Sequence, residues 1–305
     1  MSWKPWDGPA IRDQCGRVAV ITGANSGLGL QIASVLAQRG ATVVLACRSE
    51  QRAQDAAAAI GEKTGSRTIE TLQVDLGSLD SVRTAADVLA RRHARIDLLI
   101  NNAGIATPPF AVSAEGVESQ MAVNHLGHFV WTALLLGSLL KAPGSRVVGI
   151  SSLAYHVAHD IPDDWRGGAA NYQPFLAYAR SKLAILLFTR ALQLRLDRAG
   201  ASTIAVAAHP GGARTDLIRS PMGGMKPSLA KSLLQFQSAE KGALPALRAA
   251  LDPQAKGGEF FAPGGPMQLW GLPVRVRMPG RAGSPNLQDK LWRMSEQAAN
   301  LQFPL

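Results

Sequence analysis

The sequence predicts an α/β fold, a doubly wound parallel sheet in a single domain with a lid and a C-terminal extension. Three observations predict it. From Arg17 to about Phe261, short β-branched runs alternate with longer helical stretches, the rhythm of βαβ units. The runs are apolar nearly throughout, as in a sheet covered on both faces, and right-handed crossovers would wind helices onto both. No Pro/Gly/Ser-rich linker divides the alternation, which argues for one domain.

The elements follow in order. Residues 17–22 (RVAVIT) form the first strand, helical spacing runs over 28–39, and Gly40 stops it. Residues 42–47 (TVVLAC) form the second strand, followed by an alanine-rich helix ending near Gly61. Then come a strand at 68–74, a helix from about Ser78 to Arg92, and a strand at 96–101. A long helix is expected over roughly 118–141, a strand at 146–151, a helix at 175–198 and a strand at 202–208. Residues 156–173 read as a long loop because Pro162, Gly167 and Gly168 interrupt it. The stretch from Gly211 to about Ser238 is rich in Gly, Pro and Ser, with a helical piece near its end. The tail from Pro263 is broken by proline and glycine before a final helix near 286–299.

Composition narrows the function classes. With 47% hydrophobic and 18% charged residues, the chain can bury a sizeable core and is not a disordered segment. Its two cysteines, Cys15 and Cys47, form no CxxC pair and no metal-ligand spacing, so neither a disulfide framework nor a metal site is expected. The net charge of +10 is scattered, with short clusters at Arg91-Arg92 and Arg275-Val276-Arg277. No basic block or nucleic-acid motif accompanies it, so a nucleic-acid partner is not expected. A solvated basic surface, with at most weak contact to an anionic membrane surface, is the expectation. The most apolar stretch, 129–140, is too short for a membrane span, which needs about 20 apolar residues. The opening MSWKPWDGPA lacks the apolar core of a secretory signal, and a cytoplasmic location is expected.

The first strand–helix junction carries Thr22-Gly23-Ala24-Asn25-Ser26-Gly27-Leu28-Gly29. Small residues there let the backbone turn tightly and approach a pyrophosphate, while the helix N-terminus offers free N–H groups and a positive dipole end. After the second strand, sites that prefer NAD place an acid against the ribose 2′-hydroxyl. This chain has Cys47-Arg48, with Arg52 nearby. A guanidinium can grip a 2′-phosphate through two hydrogen bonds, so the expected cofactor is NADP.

Six ordered motifs now coincide. TGANSGLG (22–29), Asp75-Leu76 in VDL, Asn101-Asn102-Ala103-Gly104, VNHLGHF (123–129), Ser151-Ser152 with Tyr178-x-x-x-Lys182, and His209-Pro210-Gly211 with Thr215 resemble the short-chain dehydrogenase/reductase family over about 17–261. ACR (46–48), SSLAYH (151–156), SKLAILLFT (181–189) and HPGGARTDL (209–217) are similar to its retinol-dehydrogenase-like and WW-domain-oxidoreductase-like branch. The resemblance implies a Rossmann-like sheet, with an N-terminal extension at 1–16, a dinucleotide-binding catalytic domain at 17–262 including a lid at 212–238, and a C-terminal extension at 263–305. It implies that Gly23, Asn25, Ser26, Gly27, Leu28, Gly29, Arg48, Asp75, Leu76, Asn102, Ala103, Gly104, Pro210, Gly211 and Thr215 border the cofactor. It also implies that the helices at 118–141 and 175–198 pack between subunits, as in a homodimer or homotetramer. The separation of Ser152 and Tyr178 is long for the wider family, which leaves the substrate open.

The expected chemistry is interconversion of a carbonyl and an alcohol on a small molecule. Tyr178 and Lys182 are four apart and share one helix face. A neighbouring ammonium is expected to lower the phenol from about 10 toward working pH, so that Tyr178 can trade a proton with the substrate oxygen. Ser152, at the carboxyl end of a strand, would hold that oxygen. By resemblance, Asn124 holds a water linking Lys182 to solvent, and Lys182 also binds the nicotinamide ribose. His125 and His128, three apart on the long helix, are expected to pack rather than bind metal. Leu217, Ile218, Met222, Met225, Leu229, Leu233, Leu234 and Phe236 in the lid suit a lipophilic substrate. The competing function is a catalytically idle NADP-binding redox sensor or scaffold. Such a chain is expected to have lost part of the Asn–Ser–Tyr–Lys set, and this one keeps all four residues.

Overall fold

The computed structural model describes residues 11–212 and 237–305. Thr215 and nearly all of the expected lid at 212–238 lie outside the described residues.

Seven helices and eight strands are described. They run β1 (Val18–Thr22), α1 (Gly27–Gln38), β2 (Thr42–Cys47), α2 (Glu50–Thr64), β3 (Ile69–Gln73), α3 (Leu79–Arg92) and β4 (Leu98–Asn101). Next come α4 (Ser119–Leu140), β5 (Arg146–Ile150), α5 (Pro174–Arg198) and β6 (Ile204–Ala208). The last are α6 (Ala239–Leu251), β7 (Phe260–Pro263), β8 (Pro273–Val276) and α7 (Pro285–Ala299). The strands form one sheet in the order β3-β2-β1-β4-β5-β6-β7-β8, parallel except for the antiparallel β7–β8 pair. The order reverses between β1 and β4, where Ile21 lies opposite Ile100, and such a switch point opens a crevice at the carboxyl edge.

Alternation along β1 shows how the two faces are filled. Val20 points into a core shared with Leu89 of α3, Phe129 of α4 and Leu187 of α5. Ala19 and Ile21 point into the opposite core, with Ile32 of α1, Ile60 of α2 and Leu247 of α6. Both faces are thus covered, which is why the strands read as nearly continuous apolar runs. α4 is long and apolar enough to cross a membrane, yet 78% of its apolar window is buried inside the protein.

Several boundaries depart from the sequence expectation. α2 runs through Gly61 to Thr64, and the chain turns at Gly65, whose φ of 71° ends the helix in the left-handed region. Gly61 is tolerated because i→i−4 bonding continues through it. α4 is interrupted by a π turn at Ala122–Leu126. α6 was not apparent in the sequence because Pro245 lies inside it.

The segment after Pro263 is integral to the fold. β8 pairs with β7, Phe261 lying opposite Arg275. α7 packs on α5 and α4 through an aromatic cluster. The Trp292 ring lies 5.3 Å from Phe129, 5.9 Å from Phe188 and 4.7 Å from Phe303, centroid to centroid. The Arg195 guanidinium lies 3.7 Å from the Trp292 ring, a cation–π contact. His125 closes the cluster, its Nε2 2.7 Å from the Ser295 hydroxyl. Among the described residues, α7 therefore covers part of the α4–α5 face that the resemblance assigned to subunit packing.

Two expectations follow. Trp292→Ala should cost about 3–5 kcal/mol, as for other buried tryptophans, measured by urea denaturation; a cost below about 1 kcal/mol would show that α7 is a dispensable appendage. Burial lowers His125 to about 3, and His128 and His209 to about 4. These folded values lie below the ordinary 6.5, so the stability gained from neutral rings is complete above about pH 6.5 and is lost as pH falls toward 4, at up to about 1.4 kcal/mol per unit and per group. Melting temperature should fall across that window, and His125→Phe should flatten the fall; parallel curves for the two proteins would contradict the assignment.

Candidate active site

The crevice at the switch point is built from the β1–α1 turn. Gly23 and Gly27 adopt φ of 65° and 54°, left-handed values that favour glycine. A side chain on Gly29 would collide with the Gly23 carbonyl. Ser26 at the N-cap makes no side-chain cap hydrogen bond, and no acid sits in the first turn of α1. The leading amides of α1 therefore stay open to an anion. Asn25 and Leu28 are half-buried and Ser26 is exposed on the turn.

Arg48 is exposed directly after β2, and Ser49 caps α2 by accepting from the Arg52 amide. Asp75 accepts from the Gly77 amide at 2.9 Å, and Leu76 is buried beside it, against Gly127.

Beyond β4, Asn102 donates through its side chain to the Thr22 carbonyl at 2.8 Å. The Asn102 and Ala103 amides both donate to Thr22 Oγ1, at 2.9 and 3.0 Å. A Cβ on Gly104 would stand 3.0 Å from Asn124 Oδ1 and 3.4 Å from Lys182 Nζ. Gly104 is thus the point where the cofactor crevice and the Asn–Lys pair meet.

Asn124 sits in the π turn, a feature frequent at functional sites. It is fully buried and clamps Ile105 from both sides: Oδ1 accepts from the amide at 2.8 Å and Nδ2 donates to the carbonyl at 3.0 Å. Nδ2 also donates to Ser181 Oγ at 2.8 Å.

Ser151 is buried and donates to the Lys182 carbonyl at 2.8 Å, a packing role. Ser152 is partly exposed, its hydroxyl accepts from the Ala154 amide at 3.3 Å, and it stands near enough to the Tyr178 phenol to favour the phenolate. Lys182, one turn beyond Tyr178, is buried and donates from Nζ to the Ile150 carbonyl at 3.0 Å. The sheet edge, π turn and α5 thus bring Asn124, Ser152, Tyr178 and Lys182 to one place.

The electrostatics correct the sequence expectation. Burial pushes the Tyr178 phenol above its ordinary value, and the Ser152 hydroxyl only partly offsets this. Lys182 lies 5.6 Å from the Tyr178 ring centroid and aims its ammonium at Ile150. Burial pushes Lys182 itself down to about 8. Desolvation penalises the charged form of both groups, and here it outweighs any pull of the ammonium on the phenol.

The far wall was only half visible in the sequence. His209 Nδ1 accepts from the Gly211 amide at 3.1 Å, and Nε2 lies 2.8 Å from Gln268 Oε1. Gly211 has φ of 68°, and a side chain there would strike the Gln268 carbonyl. Pro210 and Leu28 line a recess beneath this wall with Ile150 and Ala208. Gln268 belongs to the turn Pro266–Gln268, where Met267 and Gln268 themselves take φ of 48° and 58°. The Gly264-Gly265-Pro266 run marked a turn, but nothing marked its return to this edge. Arg281 donates to the His156 and Ala158 carbonyls, closing the same side.

His125 and His128 have separate partners, and among the described residues no three His, Cys, Asp or Glu side chains converge as metal ligands.

Comparison with known proteins places this geometry. The family model described as short chain dehydrogenase matches residues 17–222. Retinol dehydrogenase 13 of Homo sapiens is 42% identical over 204 residues, 67% of this chain and 61% of that protein; the chain thus spans under two thirds of that relative's length. A crystal structure of an uncharacterised protein from Mycobacterium paratuberculosis superposes with a TM-score of 0.81 at 38% identity, covering 99% of this chain and 100% of that one. A short chain dehydrogenase from Burkholderia cenocepacia, solved in complex with NADP, gives 0.63 at 26% identity, covering 81% and 95%. The chain belongs to the short chain dehydrogenase family.

Proposed function

We propose that the chain interconverts a carbonyl and an alcohol on a lipophilic small molecule with NADP(H), Tyr178 handing over the proton. The observation that carries this is the gathering of Ser152, at the carboxyl edge of β5, with Asn124 and with Tyr178 and Lys182 one turn apart on α5. The Burkholderia structure holding NADP supports the cofactor, and the name of the human relative supports an alcohol or carbonyl substrate.

The residues fit a dinucleotide. The glycine turn, with Asn25, Ser26 and Leu28, leaves a cradle that a side chain at Gly29 would fill, below the uncapped start of α1. Arg48 stands where NAD sites carry an acid, and its exposed guanidinium would meet a 2′-phosphate. Asp75 and Leu76 would border the adenine, Asn102–Gly104 the ribose, and Pro210 and Gly211 the nicotinamide, with Thr215 joining them. When bound, the cofactor supplies the hydride.

The chain's own groups handle the oxygen and its proton. Ser152 holds the substrate oxygen against the phenol. A phenol raised above its ordinary value stays protonated at neutral pH, so Tyr178 is set to donate to a developing alkoxide. Lys182, near 8, can carry the replacing proton at neutral pH, and Asn124 fixes the Ile105 turn beside it.

The purified chain should oxidise NADPH with a panel of lipophilic aldehydes and ketones. Tyr178→Phe should lower kcat by about 10²–10⁴-fold, the usual range for losing a general acid, with NADPH affinity retained. If no carbonyl draws turnover above that of Tyr178→Phe, the reading fails. In nucleotide titrations, Arg48→Ala should cut the preference for NADPH over NADH by about 10–100-fold, the worth of charged hydrogen bonds. An unchanged ratio would remove Arg48 from the 2′-phosphate site.

A further inference from the structure

His128 lies on α4 one turn after Asn124, is 3% exposed, and takes no part in the chemistry above. Its two ring nitrogens reach the two halves of the site. Nδ1 is 3.1 Å from the Asn124 carbonyl, and Nε2 is 2.8 Å from Thr22 Oγ1.

The direction of these bonds can be derived. A carbonyl only accepts, so Nδ1 must carry the ring proton. The ring is neutral at ordinary pH, because burial lowers it to about 4 and Lys182 opposes its charge. Nε2 therefore offers a lone pair, and the Thr22 hydroxyl must donate to it. That leaves the oxygen of Thr22 free to accept both loop amides, from Asn102 at 2.9 Å and Ala103 at 3.0 Å. The other acceptor near the hydroxyl, the Ile100 carbonyl at 3.4 Å, is the weaker one. The oxygen has two lone pairs, and both are used. Asn102, so placed, donates to the Thr22 carbonyl at 2.8 Å and reaches the Gly23 carbonyl at 3.4 Å.

We infer that His128 is a positioning residue that locks the dinucleotide turn to the Asn124 helix through the Thr22 hydroxyl. The inference rests on the proposed function for its meaning, but the relay exists without any ligand. Its effect belongs to cofactor affinity: the groups it orders, Thr22, Gly23, Asn102 and Ala103, border the dinucleotide crevice. Tyr178 and Ser152 do not depend on it.

Two measurements test it. Amide hydrogen exchange of the unliganded protein should show at least tenfold faster exchange at Asn102 and Ala103 in His128→Phe, which fills the space but offers no acceptor. Protection across α2 and α6 should stay unchanged. NADPH titration should show Kd about tenfold weaker in His128→Phe and in Thr22→Val, and no further loss in the double variant. His128→Gln, whose amide oxygen can accept from Thr22, should recover part of the affinity and also serves if the phenylalanine variant fails to fold. Unaltered exchange at Asn102 and Ala103, or losses that multiply in the double variant, would overturn the inference. Should wild type bind no NADPH while the exchange result holds, the proposed function fails and the relay stands.

Discussion

The structure depends on closing the backbone where β1 and β4 part. At this switch point two adjacent parallel strands send their chains to opposite faces of the sheet, and no strand lies between them to receive their polar groups. The exposed amides and carbonyls must find partners or be paid for at the cost of unsatisfied burial, about 1–3 kcal/mol each. Here one threonine hydroxyl and one asparagine side chain supply those partners: Thr22 takes the amides of Asn102 and Ala103, and Asn102 takes the carbonyls of Thr22 and Gly23. The exchange is reciprocal, so neither loop can move alone. A glycine turn that must approach a ligand closely has no side chains with which to brace itself, and the bracing comes from the next strand over.

Desolvation governs the proton chemistry of the site. Tyr178 and Lys182 share a helix face, and isolated in water the ammonium would favour the phenolate. Inside the fold the ammonium turns to the Ile150 carbonyl at 3.0 Å, and the Ser152 hydroxyl offsets only part of the cost of burying the phenol. Burial then drives both toward neutrality, the phenol upward and Lys182 down to about 8. Both neutral forms are favoured together, which moves the two acidities apart. Such a pair suits a donor that is replenished rather than a standing phenolate.

Much of this was legible in the sequence, for reasons that also explain the gaps. β2 was read at its true bounds because six residues from Thr42 to Cys47 are nearly all apolar and bounded by Gly40 and Arg48. Asn124 and Ser152 were named from the family resemblance, and Tyr178 and Lys182 also from their spacing of four on one helix face; the fold places all four at the crevice edge. The raised phenol was not legible, since a spacing of four shows that two groups are neighbours but not how much water they keep. The π turn at Asn124 escaped because it preserves helical appearance while shifting the register by one residue. α6 escaped because of Pro245, and Gln268 because its position beside His209 is fixed by the β7–β8 pairing, a contact 59 residues away in the chain. Pro245 and the π turn disguise structure locally, whereas the raised phenol and the place of Gln268 are tertiary in origin.

His128 and His209 show how the backbone itself sets the polarity of the site. Both rings are buried and neutral, so each is a connector with one donor and one acceptor. At His128 the fixed neighbour is a carbonyl, which forces the proton onto Nδ1 and leaves Nε2 to accept from Thr22. At His209 the fixed neighbour is the Gly211 amide, which makes Nδ1 the acceptor and forces the proton onto Nε2, toward Gln268. Opposite tautomers thus stand on the two sides of one crevice, each dictated by a backbone group that cannot change its role. A protonated ring at either place would present a second donor to an atom that already donates or is already filled. The two walls therefore keep their geometry only while both imidazoles stay uncharged, and it is their burial that keeps them so.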